Sequence, residues 1–154
     1  HTRFRNVTGV QTCALPIWTL REAGIPIDDA LIFSAGSTIE EGAAAAVQFL
    51  SEKTDATAIQ CSHDLVAIGA ADVLLNQGFR IPEDFSITGF GNVLAAEYFR
   101  VPLTTIRQPK ARLGAVAMEA MTRLLRGESV ATQRLPAPLE VRASSGPPRT
   151  HPLA

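Results

Sequence analysis

Two short runs of β-branched and aromatic residues constrain the fold of this chain more than any other feature. They cover Phe85 to Phe90 and Leu103 to Ile106, and turn-forming residues bound both of them. Runs of this length and composition are typical of buried strands. The first run ends in Gly89-Phe90-Gly91-Asn92, so a loop rich in accessible backbone follows the strand. In an open parallel sheet, ligands bind at this carboxyl end of the strands.

Predicted strands and helices alternate along the rest of the chain. In order, they cover Leu31–Ser34, Thr38–Lys53, Ala56–Cys61, Leu65–Gln77, Asn92–Phe99 and Pro109–Arg126. A capping box begins the first of the helices, from either Ser37 or Thr38 and the glutamate three residues later. Strand–helix repeats with short connections favour a parallel sheet with right-handed crossovers and helices on both faces. Leu135–Ala143 is a further extended segment, which its prolines restrict to a sheet edge.

The two ends of the chain differ from this pattern. Residues 1–18 show neither helical nor alternating periodicity, and Val7–Ile17 resembles translated adapter sequence at the broken end of an assembled read. We interpret residues 1–18 as a non-native or disordered segment, with an ordinary irregular arm as the alternative. Residues 144–154 are rich in proline and are predicted to form a disordered tail. One domain of ordinary size remains, residues 19–143.

Composition excludes several classes of function. The net charge of −1 provides no basic surface, so these residues by themselves are a poor nucleic-acid-binding unit. The spacing of Cys13 and Cys61 supports neither a disulfide framework nor a metal site, as expected for a reducing compartment such as the cytoplasm. No run reaches the roughly 18 apolar residues of a membrane span. Motifs of nucleophilic, phosphate-binding or metal-dependent enzymes are absent, so neither an enzyme nor a cofactor is predicted.

A longer string contains both strands and carries a resemblance. It reads Ile-Pro-Glu-Asp-Phe-Ser-Ile-Thr-Gly-Phe from Ile81, and Leu-Thr-Thr-Ile-Arg-Gln-Pro-Lys from Leu103 and Leu113-Gly114 follow it. These motifs resemble the signature of the lactose and purine repressor family of bacterial transcription regulators, over roughly residues 19 to 146. The resemblance implies an α/β fold: a truncated, parallel-sheet, three-layer lobe of the periplasmic-binding-protein-like (type I) fold. It corresponds mainly to the C-terminal lobe of the effector-binding domain.

The same resemblance implies a function. Members of the family are cytoplasmic, homodimeric repressors that bind a small-molecule effector, here expected to be a sugar or a nucleobase-like metabolite. They contact operator DNA through a helix-turn-helix head that is missing from this chain, and they are not membrane proteins. Two alternatives remain open: an exported substrate-binding protein of a sugar ABC transporter, which shares the fold, and a stand-alone sensor lobe that acts on protein partners. The string that begins at Leu103 favours the regulator.

The loops after three predicted strands are expected to converge on one crevice. These loops cover Ser34–Thr38, Gln60–Asp64 and Phe90–Asn92, and such loops form the ligand site in open parallel sheets. The resemblance implies that they line the effector pocket. The candidate ligand-binding residues are Ser37, Gln60, His63, Asp64, Gly91 and Asn92.

Two of these residues depart from the family pattern. Ser37 stands where members often place an aromatic platform, and Gly91 where an aspartate usually binds ligand hydroxyls or ring nitrogens. We therefore hypothesise that the effector is unusually small or anionic, or that the pocket is degenerate. Ser37 and Asp64 also suit helix caps, and His63 an exposed loop. Gly91 suits a backbone requirement, while the Gln60 amide must find partners if it is buried.

Two predicted helices carry apolar faces whose partners must be identified. In Leu65–Gln77, one row suits packing on the sheet, and it comprises Val66, Ala70, Val73 and Leu74. The second row needs either a covering helix or a second subunit. The resemblance implies a dimer interface, with the candidates Leu65, Ile68, Leu75, Tyr98 and Phe99. In the last helix, the stripe expected to face inward comprises Leu113, Ala117, either Ala120 or Met121, and Leu124.

Overall fold

The structure is a computed structural model that describes residues 4–8, 14–52 and 55–150, with residues 4–8 and 14–16 as backbone alone. The strands in this part of the chain are β1 (Phe4–Thr8), β2 (Ile32–Ser34), β3 (Ala58–Cys61), β4 (Ser86–Phe90), β5 (Thr104–Ile106) and β6 (Leu139–Glu140). The helices are α1 (Ala14–Glu22), α2 (Ile39–Ser51), α3 (Asp64–Asn76), α4 (Leu94–Tyr98) and α5 (Lys110–Leu125). From β2 onward the predicted order of elements is confirmed, although the predicted helix end at Lys53 lies outside the described residues.

The strands form one sheet in the order β2-β1-β3-β4-β5-β6. The first five strands are parallel, which confirms the predicted sheet, and β6 pairs antiparallel with β5 at the edge. In register, Gln60 lies opposite Thr88, and Thr88 lies opposite Thr104. Because parallel strands point the same way, the loops after β2, β3 and β4 leave from one edge of the sheet.

An aromatic cluster forms the centre of the core. Phe33 of β2, Phe49 of α2 and Phe85 before β4 meet edge to face, with ring centroids 5.8 and 5.4 Å apart. Edge-to-face pairing is a preferred geometry for aromatic rings. Val66 and Leu74 of α3 are completely buried, so the predicted sheet-facing row is confirmed at these two residues. The core therefore lies between the sheet and the helices α2 and α3.

The second face of α3 is covered within the chain. Asp64 accepts a hydrogen bond from the Val93 amide at 2.8 Å. Asp72 accepts one from Arg100 at 2.7 Å, so the segment that contains α4 lies over this face. Ile68 lies one helical turn from each aspartate and is 7% exposed. Ile68 is therefore largely buried within the chain, and its place in a subunit interface stays a prediction.

The apolar stripe of α5 is exposed, contrary to the prediction that it faces inward. Leu113, Met121 and Leu124 are each more than half exposed, and Ala117 is exposed as well. Val116 is the residue of this helix that is buried. Periodicity indicates which face of a helix is apolar, but a partner must be present to cover it. No element of the described chain covers this face.

The first 18 residues take part in the fold where the structure describes them. β1 lies inside the sheet, hydrogen-bonded to β2 on one side and to β3 on the other. The prediction of disorder does not hold for β1 or for the start of α1. A strand such as β1 can form without alternating side chains, because the hydrogen bonds between strands join backbone groups that every residue type except proline provides. The interpretation of residues 1–18 as non-native stays a prediction. Residues 1–3 and 9–13, with Cys13, lie outside the described residues.

Ser144 docks the C-terminal segment, residues 144–150, onto the sheet. The Ser144 side chain is 1% exposed, and its hydroxyl donates a hydrogen bond to the Ile87 carbonyl at 2.6 Å. The same oxygen accepts a bond from the Thr104 amide at 2.8 Å, and the Ser144 carbonyl accepts one from the Ile87 amide at 2.7 Å. Buried backbone groups must be hydrogen-bonded, and this segment supplies their partners.

Arg149 fixes the same segment further along. Its guanidinium donates hydrogen bonds to the carbonyls of Ala56 and Asp84, both at 2.7 Å, and lies 5.2 Å from the Phe85 ring centroid. A cation over an aromatic face is an attractive contact. The predicted disordered tail is therefore wrong for residues 144–150, since hydrogen bonds hold this proline-rich segment in place. Residues 151–154 lie outside the described residues.

We expect Ser144→Ala to lower the free energy of unfolding by about 1–3 kcal/mol, because the buried Thr104 amide loses its partner. Urea denaturation of the chain, followed by circular dichroism, measures this change. The control Ser129→Ala lies at an exposed position and should change the free energy by less than about 0.5 kcal/mol. Equal effects of the two substitutions would contradict the buried role of Ser144.

Candidate functional site

Two candidate loops lie side by side at the carboxyl edge of the sheet. β3 and β4 are neighbours, so the loops Gln60–Asp64 and Phe90–Asn92 are adjacent, as predicted. The third loop, Ser34–Thr38, follows β2, which β1 separates from β3. It lies two strand spacings, or about 10 Å, further along the same edge. The structure therefore brings two of the loops together and leaves the third at a distance that a small molecule can span.

Asp64 is buried and does not cap α3, which corrects the cap interpretation. It is 1% exposed, and α3 has no side-chain cap. Its Oδ1 accepts a hydrogen bond from the Thr105 hydroxyl at 2.5 Å, and its Oδ2 accepts one from the Val93 amide at 2.8 Å. Both carboxylate oxygens are therefore hydrogen-bonded within the chain beneath the edge, and contact of Asp64 with a ligand stays a prediction.

Gly91 is required by backbone geometry. Its φ angle is +126°, a conformation that residues with a side chain rarely adopt, and its amide donates to the Ile106 carbonyl at 2.9 Å. The backbone explanation for Gly91 is therefore the one that the structure supports. A carboxylate side chain at this position would require a different loop conformation.

Gln60 is half-buried and its amide group has partners at both ends. Its Nε2 donates to the Cys61 carbonyl at 2.9 Å, and its Oε1 accepts from the Thr88 hydroxyl at 2.6 Å. This confirms that the Gln60 amide finds partners. A ligand that bonds to Gln60 must therefore use its remaining donor and acceptor positions.

His63 and Ser37 are both exposed at the edge. The His63 ring lies just before α3, with its Nδ1 3.0 Å from the Ser62 hydroxyl. This matches the exposed-loop interpretation and leaves the ring accessible to a ligand. Ser37 does not cap α2, because Thr38 occupies the cap position. Both residues remain candidates for contact with a ligand.

Glu41 folds back onto the loop that contains Ser37. Its Oε2 accepts hydrogen bonds from the Ser37 amide at 2.8 Å and from the Thr38 amide and hydroxyl, both at 3.0 Å. Bonds from the Thr38 amide, the Thr38 hydroxyl and the Ser37 amide lower the pKa of the Glu41 carboxyl below its usual 4.5. Amides at a helix N-terminus are a natural anion site, but here a carboxylate of the chain already occupies them.

Arg142 holds the side chain of Asn92. Its guanidinium donates to the Asn92 Oδ1 at 2.8 Å and to the Leu103 carbonyl at 2.9 Å. Asn92 itself has a φ of +50°, and its amide donates to the Thr105 hydroxyl at 3.4 Å. Sequence reasoning missed Arg142, which is 50 residues from Asn92 and follows an edge strand. No local signal in the sequence could have identified this contact.

The five predicted interface residues differ in accessibility. Tyr98 is 76% exposed and Leu65 is 36% exposed, so both remain candidates. Leu75 and Phe99 are partly buried against the core, and Ile68 is buried. Leu94, which sequence reasoning did not single out, is 75% exposed on α4 beside Tyr98. Among the residues near the predicted interface, the most exposed apolar side chains therefore lie on α4 rather than on α3.

Two structural findings bear on other classes of protein. Among residues 4–8, 14–52 and 55–150, no group of three or more His, Cys, Asp and Glu side chains could hold a metal ion. The helices of the described chain include none that is long and apolar enough to cross a membrane.

Comparisons with known proteins agree on one family. Residues 17–145 match the family model described as the periplasmic binding protein-like domain. The HTH-type transcriptional repressor PurR of Yersinia pestis bv. Antiqua is 43% identical over 98 residues, which are 64% of this chain and 29% of the relative. The HTH-type transcriptional regulator DegA of Bacillus subtilis is 37% identical over 133 residues, or 85% of this chain and 39% of the relative.

A solved structure shows the same fold. It is a LacI family transcriptional regulator from Mycobacterium smegmatis, with a TM-score of 0.83 and 28% sequence identity, and the match covers 96% of this chain and 59% of that chain. The chain spans about a third of the length of the curated relatives that it matches. β1 lies before the family match, which begins at residue 17.

We expect Glu41→Gln to reduce the loss of stability at acid pH. Because the folded-state pKa of Glu41 lies below 4.5, its carboxylate stabilises the folded chain above that pH, and this contribution is lost as the pH falls through the lowered value. Urea midpoints of the wild type and the variant, measured between neutral pH and the acid limb, should converge at low pH. Glu40→Gln is the matched control, because the donors at Ser37 and Thr38 reach Glu41. Parallel pH profiles of wild type and Glu41→Gln would contradict this assignment.

Proposed function

This chain belongs to the lactose and purine repressor family through its periplasmic binding protein-like domain, and we propose that it is the C-terminal lobe of the ligand-sensing domain of a transcription repressor. The observation that carries the proposal is the family match over residues 17–145, with repressors among the relatives. The whole protein would bind operator DNA through a helix-turn-helix head outside this chain. A net charge of −1 fits a lobe that does not itself contact DNA.

The proposed ligand is a small-molecule effector, a sugar or nucleobase-like metabolite, bound at the carboxyl edge of the sheet. His63 and Ser37 are exposed there, while Gln60 and Asn92 present polar groups beside them. Gly91 offers no carboxylate for ligand hydroxyls. Our hypothesis remains that the effector is small or anionic, or that the pocket is degenerate. Because Glu41 occupies the amides at the start of α2, a small effector is favoured over an anionic one.

The exposed stripe of α5 supports the presence of a second lobe in the whole protein. Leu113, Met121 and Leu124 form an uncovered apolar face, and soluble chains rarely leave such a face without a partner. The curated relatives are about three times as long as the matched region. We propose that the remaining lobe covers α5, and that the effector binds between the two lobes.

Other functions fit less well. A substrate-binding protein of a sugar transporter shares the fold, but the relatives named above are transcription regulators rather than transporters or enzymes. The proposed role is therefore binding without catalysis, in the cytoplasm. Effector binding would act by favouring one of two states of a homodimer, which requires different affinities for those states.

Sequencing of the source locus across the codons for residues 1–18 tests the proposed function directly. We expect an in-frame upstream extension that begins with a basic helix-turn-helix and that replaces residues 1–18 with family-like sequence. A signal peptide at the start of that extension would overturn the regulator and favour the transporter protein. Codons for residues 1–18 that continue unchanged upstream would contradict their non-native interpretation.

Binding measurements on the full-length protein test the effector hypothesis. Isothermal titration calorimetry with neutral pentoses and hexoses should give no micromolar binding, because Gly91 and Ser37 lack the groups that bind such sugars. Micromolar affinity for a neutral pentose or hexose would contradict the hypothesis. His63→Ala, at an exposed position of the edge, should weaken whichever effector is found.

We expect Tyr98→Glu to raise the homodimer dissociation constant of the full-length protein by at least about tenfold, because it places a charge in the proposed apolar interface. Sedimentation velocity over a concentration series measures the constant. Val47→Glu on α2 is the control, since Val47 is 59% exposed but lies outside the proposed interface. Unchanged dimerisation of Tyr98→Glu would remove α4 from the interface.

A further inference from the structure

The Asp64 carboxylate is buried at the junction of three elements. It belongs to the first turn of α3 and accepts hydrogen bonds from the Thr105 hydroxyl of β5 and from the Val93 amide just before α4. Thr105 is completely buried, and its hydroxyl oxygen also accepts a bond from the Asn92 amide at 3.4 Å. One side chain therefore joins α3, β5 and the loop that leads into α4.

Two glycines complete the enclosure of this carboxylate. A Cβ atom at Gly89 would lie 2.4 Å from the Asp64 Oδ1, and one at Gly91 would lie 3.6 Å from the Oδ2. Cβ atoms essentially never approach other atoms within 3.0 Å, so the carboxylate occupies space that a side chain at position 89 would take. Packing as well as hydrogen bonding therefore determines where Asp64 lies.

The hydrogen bonds of Asp64 are shielded from water, because Asp64 and Thr105 are both buried. A buried group that loses its partner keeps its full desolvation cost, so the loop cannot leave the carboxylate without a penalty. Five-residue helices such as α4 have little stability of their own. The position of α4 therefore depends on what anchors Val93.

We propose that Asp64 is a positioning residue that links the loop Gly91–Val93 to α4 and so determines where the exposed Leu94 and Tyr98 lie. The functional role of this link rests on the proposed function, in which the loop Gly91–Val93 is part of the effector site and α4 is part of the dimer interface. A ligand that moves the Asn92 backbone must then also strain the bonds at Thr105 and Asp64. The carboxylate is the physical connection between the two surfaces.

Hydrogen–deuterium exchange of the full chain, resolved by mass spectrometry, tests the link. Asp64→Ala and Thr105→Val should each raise exchange in peptides that cover residues 91–99 by about tenfold, the factor that corresponds to the loss of one such hydrogen bond. Peptides from α2 should keep their exchange rates, because no residue of α2 takes part in the hydrogen bonds among Asp64, Thr105, Asn92 and Val93. Thr105→Val is nearly isosteric, so it tests the link even if Asp64→Ala does not fold.

Thr104→Val is the matched control. It removes a buried hydroxyl from the adjacent residue of the same strand, but that hydroxyl bonds to Arg142 and Ser145 rather than to Asp64. It should accelerate exchange around residues 142–146 and at Asn92, whose side chain Arg142 holds, and leave residues 93–99 unchanged. Thr105→Ser retains the hydroxyl and should restore slow exchange at residues 91–99.

Two results would overturn the proposal. One is uniform acceleration across all peptides in Thr105→Val, which would indicate general destabilisation, and the other is no acceleration at residues 91–99. Neither outcome depends on whether the whole protein binds an effector or an operator. The locus sequence and the binding measurements would show whether the proposed function is wrong. Hydrogen–deuterium exchange at residues 91–99 would show separately whether the proposed link is wrong.

Discussion

Parallel pairing of neighbouring strands is the constraint on which the rest of this structure depends. A parallel strand cannot follow its neighbour through a tight turn, so a crossover of about a dozen residues must intervene. In this chain α2 and α3 are such crossovers, and they bury Phe49 and Leu74 against the sheet. The same pairing sends the loops after β3 and β4 out at one edge. The core and the candidate site are therefore two consequences of one hydrogen-bonding pattern.

Features with local causes could be predicted from the sequence. Strand and helix order follows from apolar periodicity and turn residues, and the capping box at Thr38 follows from residues three apart. The partners of Asp64 could not be predicted, because Val93 and Thr105 lie 29 and 41 residues away. An acidic residue at the start of a helix usually caps it. Only the folded chain shows that a hydroxyl on another strand competes for the carboxylate.

Apolar periodicity and proline content do not by themselves predict whether a segment of this chain is buried. The stripe of α5 has the spacing of a buried face, yet Leu113 and Leu124 are exposed because no element among the described residues covers them. Conversely, the proline-rich segment after Ala143 has the composition of a loose tail, yet Ser144 is completely enclosed. In both cases, whether the segment is buried depends on its partners elsewhere in the fold: an apolar surface for α5, and unpaired backbone groups for Ser144. Composition does not show whether such partners are present.

The docking of the C-terminal segment has a consequence for biosynthesis. A ribosome releases the chain from its amino end, so β3, β4 and β5 emerge well before Ser144 and Arg149 become available. Until then the amides of Ile87 and Thr104 lack the partners that they have in the finished fold. A partly folded sheet with unpaired backbone groups is prone to associate with other chains. Completion of this lobe therefore depends on residues that are synthesised well after its parallel strands.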